Sequence, residues 1–516
     1  MLPIVILNYH MEVMMKKNSS TLKLKWLGIN TYKENVIYMH KDCHICRSEG
    51  FEAQTRIQIA YKDRTIIATL NIIESDLLKT DEASLSNYAW DYLEAKTGEQ
   101  IQLSHPEPLT SLSYIHSKIY GNELSDDEID IIIKDVLSGR LSDVHISAFL
   151  ASCAGGRLNE KEILDMTKSM AYIGEHLKWP SDLIVDKHCV GGLPGNRTSM
   201  VVVPIVTAFG LTMPKTSSRS ITSPSGTADT MEVLAPVNLT IHKIRKVVEK
   251  ENGCIVWGGS IALSPSDDIL IRVERAIDLD SEGQLVASII SKKFAAGSTH
   301  IVIDIPIGPT AKVRSLKTAI LLKKYLEKTG ESLGIKINVI FTDGLQPVGR
   351  GIGPALEAKD VIEVLLCAKN APLDLRDRSL TLAGKILEFS ADVKEGAGKQ
   401  IATEILDTGQ AWKKFQAICH AQGGLYEIPI STFKHVVEAK QSGKIVTIDN
   451  RRIARVAKLA GAPHSKAAGV ELLTPLTTQV QKGEPLFIIH AQTRGEMEYA
   501  INYVEREAEV IQIEEV

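Results

Sequence analysis

The apolar residues recur with different periods in successive segments of the chain, and these periods predict its secondary structure. Between about residues 20 and 100, short runs alternate apolar and polar positions, as in Arg56 to Tyr61 and Thr65 to Leu70. A period of two is typical of strands with one buried face. We therefore expect a small, separate β-rich module over residues 19–102.

A helical period follows this module. Apolar residues at positions 129, 132, 133, 136 and 137 lie at the spacing of one helix face, directly after Ser125 and Glu128. Those two residues form a capping box, and Asn159 with Glu162 repeats the start signal before further apolar positions. The segment predicts a helical bundle over residues 103–180.

From about residue 183 the chain alternates apolar strands, glycine turns and apolar helices. Leu183 to Val185 has the composition of a buried strand end, Met200 to Phe209 that of an apolar helix, and further strands are predicted at 254–257, 301–305 and 335–341. This alternation predicts a largely parallel sheet covered by helices, with ligands beyond the carboxyl ends of the strands. After residue 424, short strands predict a C-terminal α+β domain. The predicted fold class is α/β.

Composition narrows the range of partners. The chain has 516 residues, of which 44% are hydrophobic, enough for more than one core. A net charge of −4 and a pI near 6.4 argue against nucleic acid or an anionic membrane as partner.

No uncharged apolar run is long enough for a transmembrane helix. The first residues lack the basic start and cleavage site of a secretory signal. We treat residues 1–18 as an extension, with a later start at Met11, Met14 or Met15 left open.

Seven cysteines, an odd number scattered through the chain, are typical of a reducing cytoplasm rather than of a disulfide framework. Cys43 and Cys46 have metal-like spacing, but no second Cys pair or compact His pair lies nearby in the sequence. A structural zinc ion is the minority interpretation, and we predict no metal.

Two loops carry the candidate chemistry. They span Asp186 to Ser199 and Ser217 to Thr227, and both combine glycines, hydroxyls and cations. Glycine lets backbone N–H groups approach an oxyanion, and Lys187, Arg197 and Arg219 offer charge-assisted hydrogen bonds. The pattern predicts a phosphate site.

Thr198 and Ser199 of the first loop precede the predicted apolar helix. They would lie at its N-terminus, where free N–H groups and the helix dipole attract anions. The glycine spacing matches neither the P-loop nor the dinucleotide fingerprint. Either loop alone is also compatible with an ordinary connection between a strand and a helix, but two cationic loops so close together favour function.

A third segment, Arg272 to Lys293, is rich in charge. Ser288 and Lys292 lie four residues apart, so they share one helix face. Without the phosphate loops, a solvated charged helix face would be the simpler interpretation.

The two loops resemble the signature of the thymidine and pyrimidine-nucleoside phosphorylase family. The resemblance rests on Asp-Lys-His, Gly-Gly and Arg-Thr-Ser in the first loop and on Ser-x-Arg and Gly-Thr in the second. Ser217 to Asp229 has the form found in the AMP phosphorylase branch. The added N-terminal region is also like that of this branch. The resemblance runs from about residue 105 to the C-terminus. It implies a helical domain with a return segment over 267–295, an α/β domain over 181–266 and 296–420, a cleft between them, and a C-terminal domain over 424–516.

The resemblance also implies roles for individual residues. The positions that match the family's phosphate ligands are Lys187, Cys189, Gly192, Ser199, Ser218, Arg219, Ser220 and Thr227. Those that match substrate ligands in one branch or the other are Arg275, Ser288, Lys292 and Lys312. Ile221, Thr222 and Ser223 of the second loop are also predicted to contact the substrate, since the two hydroxyls would build the pocket for the 5′-phosphate of AMP. The match of Arg275 needs a two-residue gap, which makes it the least secure. Asp280 matches the proton donor of the AMP branch, and His188 is expected to orient the sugar or relay a proton, although it also suits a hydrogen-bonded turn. Cys189 stands where thymidine phosphorylases have a serine, and a thiol is the poorer donor.

The implied activity is reversible phosphorolysis of a nucleoside, with thymidine and orthophosphate giving thymine and 2-deoxyribose 1-phosphate. The close alternative is AMP phosphorylase, which yields a base and ribose 1,5-bisphosphate. Anthranilate phosphoribosyltransferase shares the fold, but the sequence has no acidic metal motif for pyrophosphate. A catalytically silent assembly or sensing protein is the alternative from another class. We expect no cofactor, since orthophosphate is a substrate, and a cytoplasmic homodimer or larger homo-oligomer.

Overall fold

The computed structural model describes residues 20–220, 223–261, 263–279, 281–506 and 510–515. The chain folds into two compact units, Met1–Leu158 with Ile269–Leu279, and Asn159–Asp268 with Asp280–Val516. The predicted extension over 1–18 and three predicted site residues, Ile221, Thr222 and Asp280, lie outside the described residues.

A closed barrel of six strands begins the first unit. Its elements are β1 Thr21–Leu24, β2 Val36–His40, α1 His44–Glu49, β3 Arg56–Tyr61, β4 Arg64–Ile73, β5 Glu82–Leu85, α2 Asn87–Leu93 and β6 Gln100–Ser104. The strand order is β1-β5-β2-β4-β3-β6, and β6 closes the barrel on β1. The β1–β5 and β2–β4 pairs are parallel. In β3, Ile57, Ile59 and Tyr61 are buried and the residues between them are half-buried, which is the alternation seen in the sequence.

Cys43 and Cys46 both lie in the barrel core as free thiols. Among the described residues, no group of three or more His, Cys, Asp or Glu side chains is arranged to hold a metal ion.

Helices follow the barrel in the first unit. They are α3 Thr110–Ile119, α4 Asp126–Leu137 and α5 Asp143–Cys153. The predicted capping box at the start of α4 is confirmed, since Ser125 N donates to Glu128 Oε2 at 2.8 Å and Glu128 N donates to Ser125 Oγ at 3.4 Å. Arg272 donates two hydrogen bonds to the carboxylate of Asp143, at 2.6 and 2.7 Å, and so fixes the segment Ile269–Leu279 to α5.

The second unit contains the parallel sheet and most of the helices. Its elements up to residue 422 are α6 Glu160–Tyr172, β7 Val185–Cys189, α7 Thr198–Phe209, β8 Met213–Ser217, α8 Thr227–Met231, α9 Ile241–Glu251, β9 Gly253–Trp257, the first residues of α10 Pro265–Ile277, α11 Glu282–Ala295, β10 His300–Ile307, α12 Leu316–Ser332, β11 Lys336–Asp343, β12 Gly351–Ile352, α13 Pro354–Leu365, α14 Leu373–Leu387, α15 Gly398–Asp407 and α16 Gln410–Gln422. The apolar helix α7 is buried along most of its length, because it packs in the main core of the unit.

The parallel strands follow the order β11-β10-β7 and β8-β9, and a parallel bridge between Ile184 and Thr212 joins β7 to β8. The sheet is therefore built outward from β7 in two directions, first to β8 and β9 and then to β10 and β11. The strand order reverses between β7 and β10, and ligands of open α/β sheets bind in the crevice at such a point.

The last part of the second unit consists of two small antiparallel sheets and two helices. These elements are β13 Phe433–Glu438, β14 Gly443–Ile448, α17 Asn450–Leu459, β15 Gly469–Leu472, β16 Gln479–Val480, β17 Pro485–Ala491, α18 Arg494–Arg506 and β18 Ile511–Glu514. One sheet has the order β12-β15-β17-β13 and the other β16-β14-β18. Through β12, the first sheet includes residues of the glycine run that follows β11.

The predicted α/β fold class is confirmed, and the strands predicted at 254–257, 301–305 and 335–341 correspond to β9, β10 and β11. The predicted domain bounds stay a prediction. None of the helices in the described ranges has both the length and the apolar composition that a membrane span requires.

Candidate active site

The loop after β7 makes close backbone contacts with two other loops at the point where the strand order reverses. Gly192 has φ +80, and a Cβ there would lie 2.3 Å from the backbone nitrogen of Lys312, in the loop after β10. A Cβ on Gly195 would lie 2.2 Å from the carbonyl oxygen of Val348, in the glycine run after β11. Only glycine allows such approaches. Three loops therefore meet at one edge of the sheet, and Lys312 is brought to the predicted phosphate loop.

Lys187 supplies a buried cation below this loop. The side chain is only 1% exposed, and its Nζ donates to Thr198 Oγ1 at 2.5 Å. Thr198 Oγ1 donates in turn to Asn196 Oδ1 at 3.3 Å, and Asn196 Nδ2 donates to the buried carboxylate of Asp304 at 3.4 Å. Burial lowers the pKa of Lys187, and the nearby Cys189 and Asp304 oppose that shift. Asp304 thus provides the negative charge that helps keep this ammonium protonated.

The N-terminus of α7 faces the same region, because Thr198 is its first residue. The N-cap residue Arg197 makes no side-chain cap, and the N–H of Met200 donates to its carbonyl oxygen at 3.0 Å. The first N–H groups of a helix have no intrahelical acceptor, so an anion can bind there. Ser199, also in the first turn, is 6% exposed. A buried ammonium, hydroxyls and a helix N-terminus together form a site that suits an oxyanion.

Arg197 does not belong to the anion-facing cations that the sequence suggested. Its guanidinium forms a buried ion pair with Glu357 and donates to Ser225 O at 2.7 Å and to Thr227 Oγ1 at 3.3 Å. The side chain therefore ties the first loop to the second, and it brings Thr227 next to the start of α7.

The guanidinium of Arg219 is also paired with carboxylates. It donates to Glu232 at 2.7 and 2.9 Å and to Asp229 Oδ1 at 3.2 Å, and its Cζ lies 5.0 Å from the ring centroid of Trp257. The hydrogen bonds to Glu232 are the main reason that the pKa of Arg219 is raised. Its role as a phosphate ligand stays a prediction, and these two carboxylates weigh against it.

Hydroxyls of the second loop mostly bond within the loop. Ser220 Oγ donates to Ser223 O, Ser220 N donates to Asp229 Oδ2 at 2.6 Å, and Ser223 Oγ donates to Ser225 O at 2.8 Å. Ser218 is exposed. The loop is thus held in shape by its own hydrogen bonds.

Asp186 joins the phosphate loop to its surroundings. Its fully buried carboxylate accepts from Lys293 Nζ at 2.6 Å and lies 3.4 Å from Lys215 Nζ. Burial alone would raise the pKa of Asp186, but Lys215 and Lys293 lower it overall. Burial lowers the pKa of Lys215 to about 7. Sequence reasoning missed both lysines, although Lys293 directly follows Lys292.

His188 and Cys189 follow in the same strand. Burial, and then the positive charges of Lys293 and Lys215, hold the pKa of His188 well below its usual value, so the imidazole is neutral near pH 7. Burial raises the pKa of Cys189 to about 11, and its sulfur accepts from Asn196 Nδ2 at 3.1 Å. The thiol stays protonated and is no nucleophile under these conditions.

Ser288 and Lys292 share one helix face, as their spacing predicted. Ser288 Oγ donates to Asp267 Oδ2 at 2.9 Å, and Lys292 Nζ forms an ion pair with the same oxygen. Asp267 is 2% exposed and was not found by sequence reasoning. The predicted substrate ligand Arg275 is an exposed residue of the first unit.

Family comparisons agree with this geometry. Residues 112–173 match the helical bundle domain of a glycosyl transferase family, residues 181–412 its a/b domain, and residues 444–510 the pyrimidine nucleoside phosphorylase C-terminal domain. A Legionella pneumophila protein named “Putative thymidine phosphorylase” is 61% identical over 499 residues, 97% of this chain and 96% of the relative. A Polaromonas sp. protein of the same name is 55% identical over 492 residues, 95% of this chain and 96% of the relative.

Among solved structures, the anthranilate phosphoribosyltransferase of Thermus thermophilus superposes with a TM-score of 0.50 at 17% identity, over 60% of this chain and 98% of that chain. That likeness concerns the fold alone. The fold and the family matches define a pentosyltransferase. The chain belongs to the thymidine and pyrimidine-nucleoside phosphorylase family and is an enzyme of the nucleoside phosphorylase type.

Proposed function

We propose that this enzyme catalyses the reversible phosphorolysis of thymidine to thymine and 2-deoxyribose 1-phosphate. The observation that carries the proposal is the buried ammonium of Lys187 beside the N-terminus of α7, at the point where the strand order reverses. The relatives named “Putative thymidine phosphorylase” support the choice of substrate.

Orthophosphate is the nucleophile in this proposal. One of its oxygens attacks the anomeric carbon while the bond from that carbon to the base nitrogen breaks and its electron pair leaves with the base. The dianion is held by Lys187, Ser199 and Thr227 together with first-turn N–H groups of α7. The remaining proposed phosphate ligands in the two loops are Ser218, Ser220, Cys189 and Gly192. The negative phosphate then stabilises the ribosyl centre as it becomes cationic. We propose no cofactor and no metal, because phosphate supplies the nucleophile.

The leaving pyrimidine carries negative charge. Lys292 and Ser288 receive its carbonyl edge, and the ammonium of Lys292 stabilises the charge that develops there. Because the imidazole of His188 is neutral, it can accept a hydrogen bond from a sugar hydroxyl and orient the sugar.

AMP phosphorylase is the second candidate function. Two observations favour it: the approach of the Lys312 backbone to Gly192, and Ser223 in the second loop. In this alternative Lys312, Ile221, Thr222 and Ser223 receive the nucleotide, and Asp280 protonates the leaving purine. For either substrate we propose a cytoplasmic enzyme that acts as a homodimer or larger homo-oligomer.

Replacing Lys187 tests the phosphate site. Lys187→Ala removes the buried cation, so we expect kcat/KM for phosphate to fall by roughly 100-fold to 1,000-fold, the usual effect of deleting one oriented donor. The control is Lys317→Ala, which removes an exposed lysine from α12 and should leave the kinetics unchanged. If a folded Lys187→Ala variant, checked by its melting temperature, kept the wild-type dependence on phosphate, the assignment of this site would be wrong.

A further inference from the structure

Asp267 lies at the first turn of α10 and receives two donors on a single oxygen. Its Oδ2 accepts the hydroxyl of Ser288 at 2.9 Å and pairs with the ammonium of Lys292. The side chain is 2% exposed, whereas that of Lys292 is 30% exposed. The buried acid therefore lies behind two residues that remain accessible to a ligand.

This arrangement determines how Ser288 can bond. A carboxylate can only accept hydrogen bonds, and a serine hydroxyl has one hydrogen to donate. Because that hydrogen goes to Asp267, the oxygen of Ser288 offers only its lone pairs to a ligand. Lys292 is donor-only, whatever it contacts. An acceptor and a cationic donor thus lie one helical turn apart.

Pyrimidine bases differ in how they match such a pair. The edge of thymine or uracil has one donor, the ring N3–H, between two carbonyl acceptors. In cytosine N3 carries no hydrogen and presents a lone pair. If Ser288 acts only as an acceptor, its oxygen accepts a hydrogen bond from the N3–H of thymine while Lys292 donates to a neighbouring carbonyl. With cytosine, a lone pair of Ser288 faces the lone pair of N3, and no hydrogen bond forms.

We propose that Asp267 is a positioning residue that holds Ser288 as an acceptor and thereby selects bases with a ring N–H beside a carbonyl against 4-aminopyrimidines. The proposal rests on the proposed function, since it concerns the base that leaves. It assigns a role to a residue 21 positions away from Ser288 in the sequence.

Thymidine and 5-methyl-2′-deoxycytidine test this selection, because they have nearly the same size and differ at N3 and C4. We expect the wild type to favour thymidine by at least about 100-fold in kcat/KM, since a site built around one hydrogen bond discriminates strongly. In Asp267→Ala the hydroxyl of Ser288 is free to rotate and donate to N3, so the preference should fall at least about tenfold. Ser288→Ala should reduce it similarly.

Two further variants separate positioning from a structural role. Asp267→Asn keeps an acceptor oxygen for Ser288 and should retain most of the preference. Asp268→Asn removes an exposed carboxylate from the neighbouring position of the same turn and should behave as the wild type. If Asp267→Ala lowered kcat/KM equally for both substrates and left the preference unchanged, Asp267 would be structural and the proposal overturned. If that variant does not fold, Asp267→Asn decides, because the proposal requires it to keep most of the preference and a loss of the preference would overturn the proposal.

A binding measurement distinguishes failure of this inference from failure of the proposed function. If the wild type releases no base from thymidine, the proposed function is wrong. Calorimetric titration of thymine and 5-methylcytosine into the wild type and Asp267→Ala then tests the inference by itself. A preference for thymine that Asp267→Ala loses supports the role of Asp267, and equal binding of the two bases to the wild type overturns it.

Discussion

At the scale of single residues, each buried charge near the candidate active site has a partner that makes its burial tolerable. Asp186 lies between Lys215 and Lys293, Glu357 pairs with Arg197, and the ammonium of Lys187 donates to a hydroxyl. A buried charge without such a partner would be strongly destabilising. These pairs hold the loops of the proposed phosphate site in place.

Asp360 is a buried acid of a different kind. Its Oδ2 accepts the N–H groups of Arg350 and Gly351, both at 2.7 Å, and so fixes the glycine run after β11. Burial raises its pKa from 3.8 to about 7, although those two N–H groups oppose the shift. The side chain is therefore protonated in the folded protein at mildly acidic pH.

The raised pKa of Asp360 makes stability depend on pH. Between about pH 4 and 7 the folded protein keeps a proton that the unfolded chain has lost, so this group's contribution to the free energy of unfolding falls as pH rises. Asp360→Asn keeps an acceptor but cannot ionise. The difference in free energy of unfolding between Asp360→Asn and the wild type should shift in favour of the variant by roughly 2 kcal/mol or more from pH 5 to pH 8, measured by denaturant unfolding.

The control for that series is Asp374→Asn, which removes an exposed carboxylate that accepts from Gly349 N in the same turn. A gain for Asp360→Asn that is the same at every pH would contradict the account. So would an equal pH-dependent gain in the control.

At the scale of elements, the loops after β7 and β10 approach each other closely at the proposed phosphate site. Gly191 and Gly192 both have positive φ, but only a Cβ on Gly192 would meet a neighbouring backbone. Gly192→Ala must push the two loops apart, so we expect the KM for phosphate to rise at least about tenfold.

Gly191→Ala is the matched control for that change. A Cβ at Gly191 meets nothing within 4 Å, so this variant carries only the strain of its positive φ, on the order of 1 kcal/mol in stability. Steady-state kinetics with varied phosphate compare the two. Equal KM values for Gly192→Ala and Gly191→Ala would show that contact between the loops does not determine phosphate binding.

The elements also show which features a sequence can reveal. The strands, the apolar helix α7 and the capping boxes depend on residues a few positions apart, and the Ser288–Lys292 face follows from helical spacing alone. The partners of the site residues do not follow from any such local pattern. Asp267 is 21 positions from Ser288, and Glu357 is 160 positions from Arg197, so no local pattern links them. Arg219 looked free in the sequence for the same reason, because nothing nearby indicates that Glu232 folds onto its guanidinium.

At the scale of the whole molecule, the order of the strands locates the candidate active site. The sheet grows from β7 in both directions, and the loops after β7 and β10 leave it at the point where open α/β sheets bind their ligands. The chain pattern predicted parallel strands but not their order, since order depends on which strands pair across long sequence distances. Likewise, the alternating runs of the N-terminal module predicted strands but not the closure of six of them into a barrel.

The activity of the intact enzyme is the central claim. The most direct measurement is phosphate-dependent release of free base from thymidine, uridine, cytidine, AMP and CMP, assayed side by side with the purified full-length protein. We expect thymidine to be cleaved only when phosphate is present, with a pentose 1-phosphate formed for each base released. Turnover confined to the 5′-monophosphates would instead favour AMP phosphorylase and make Asp280 the next residue to replace. No phosphate-dependent release from any of the five would contradict the account.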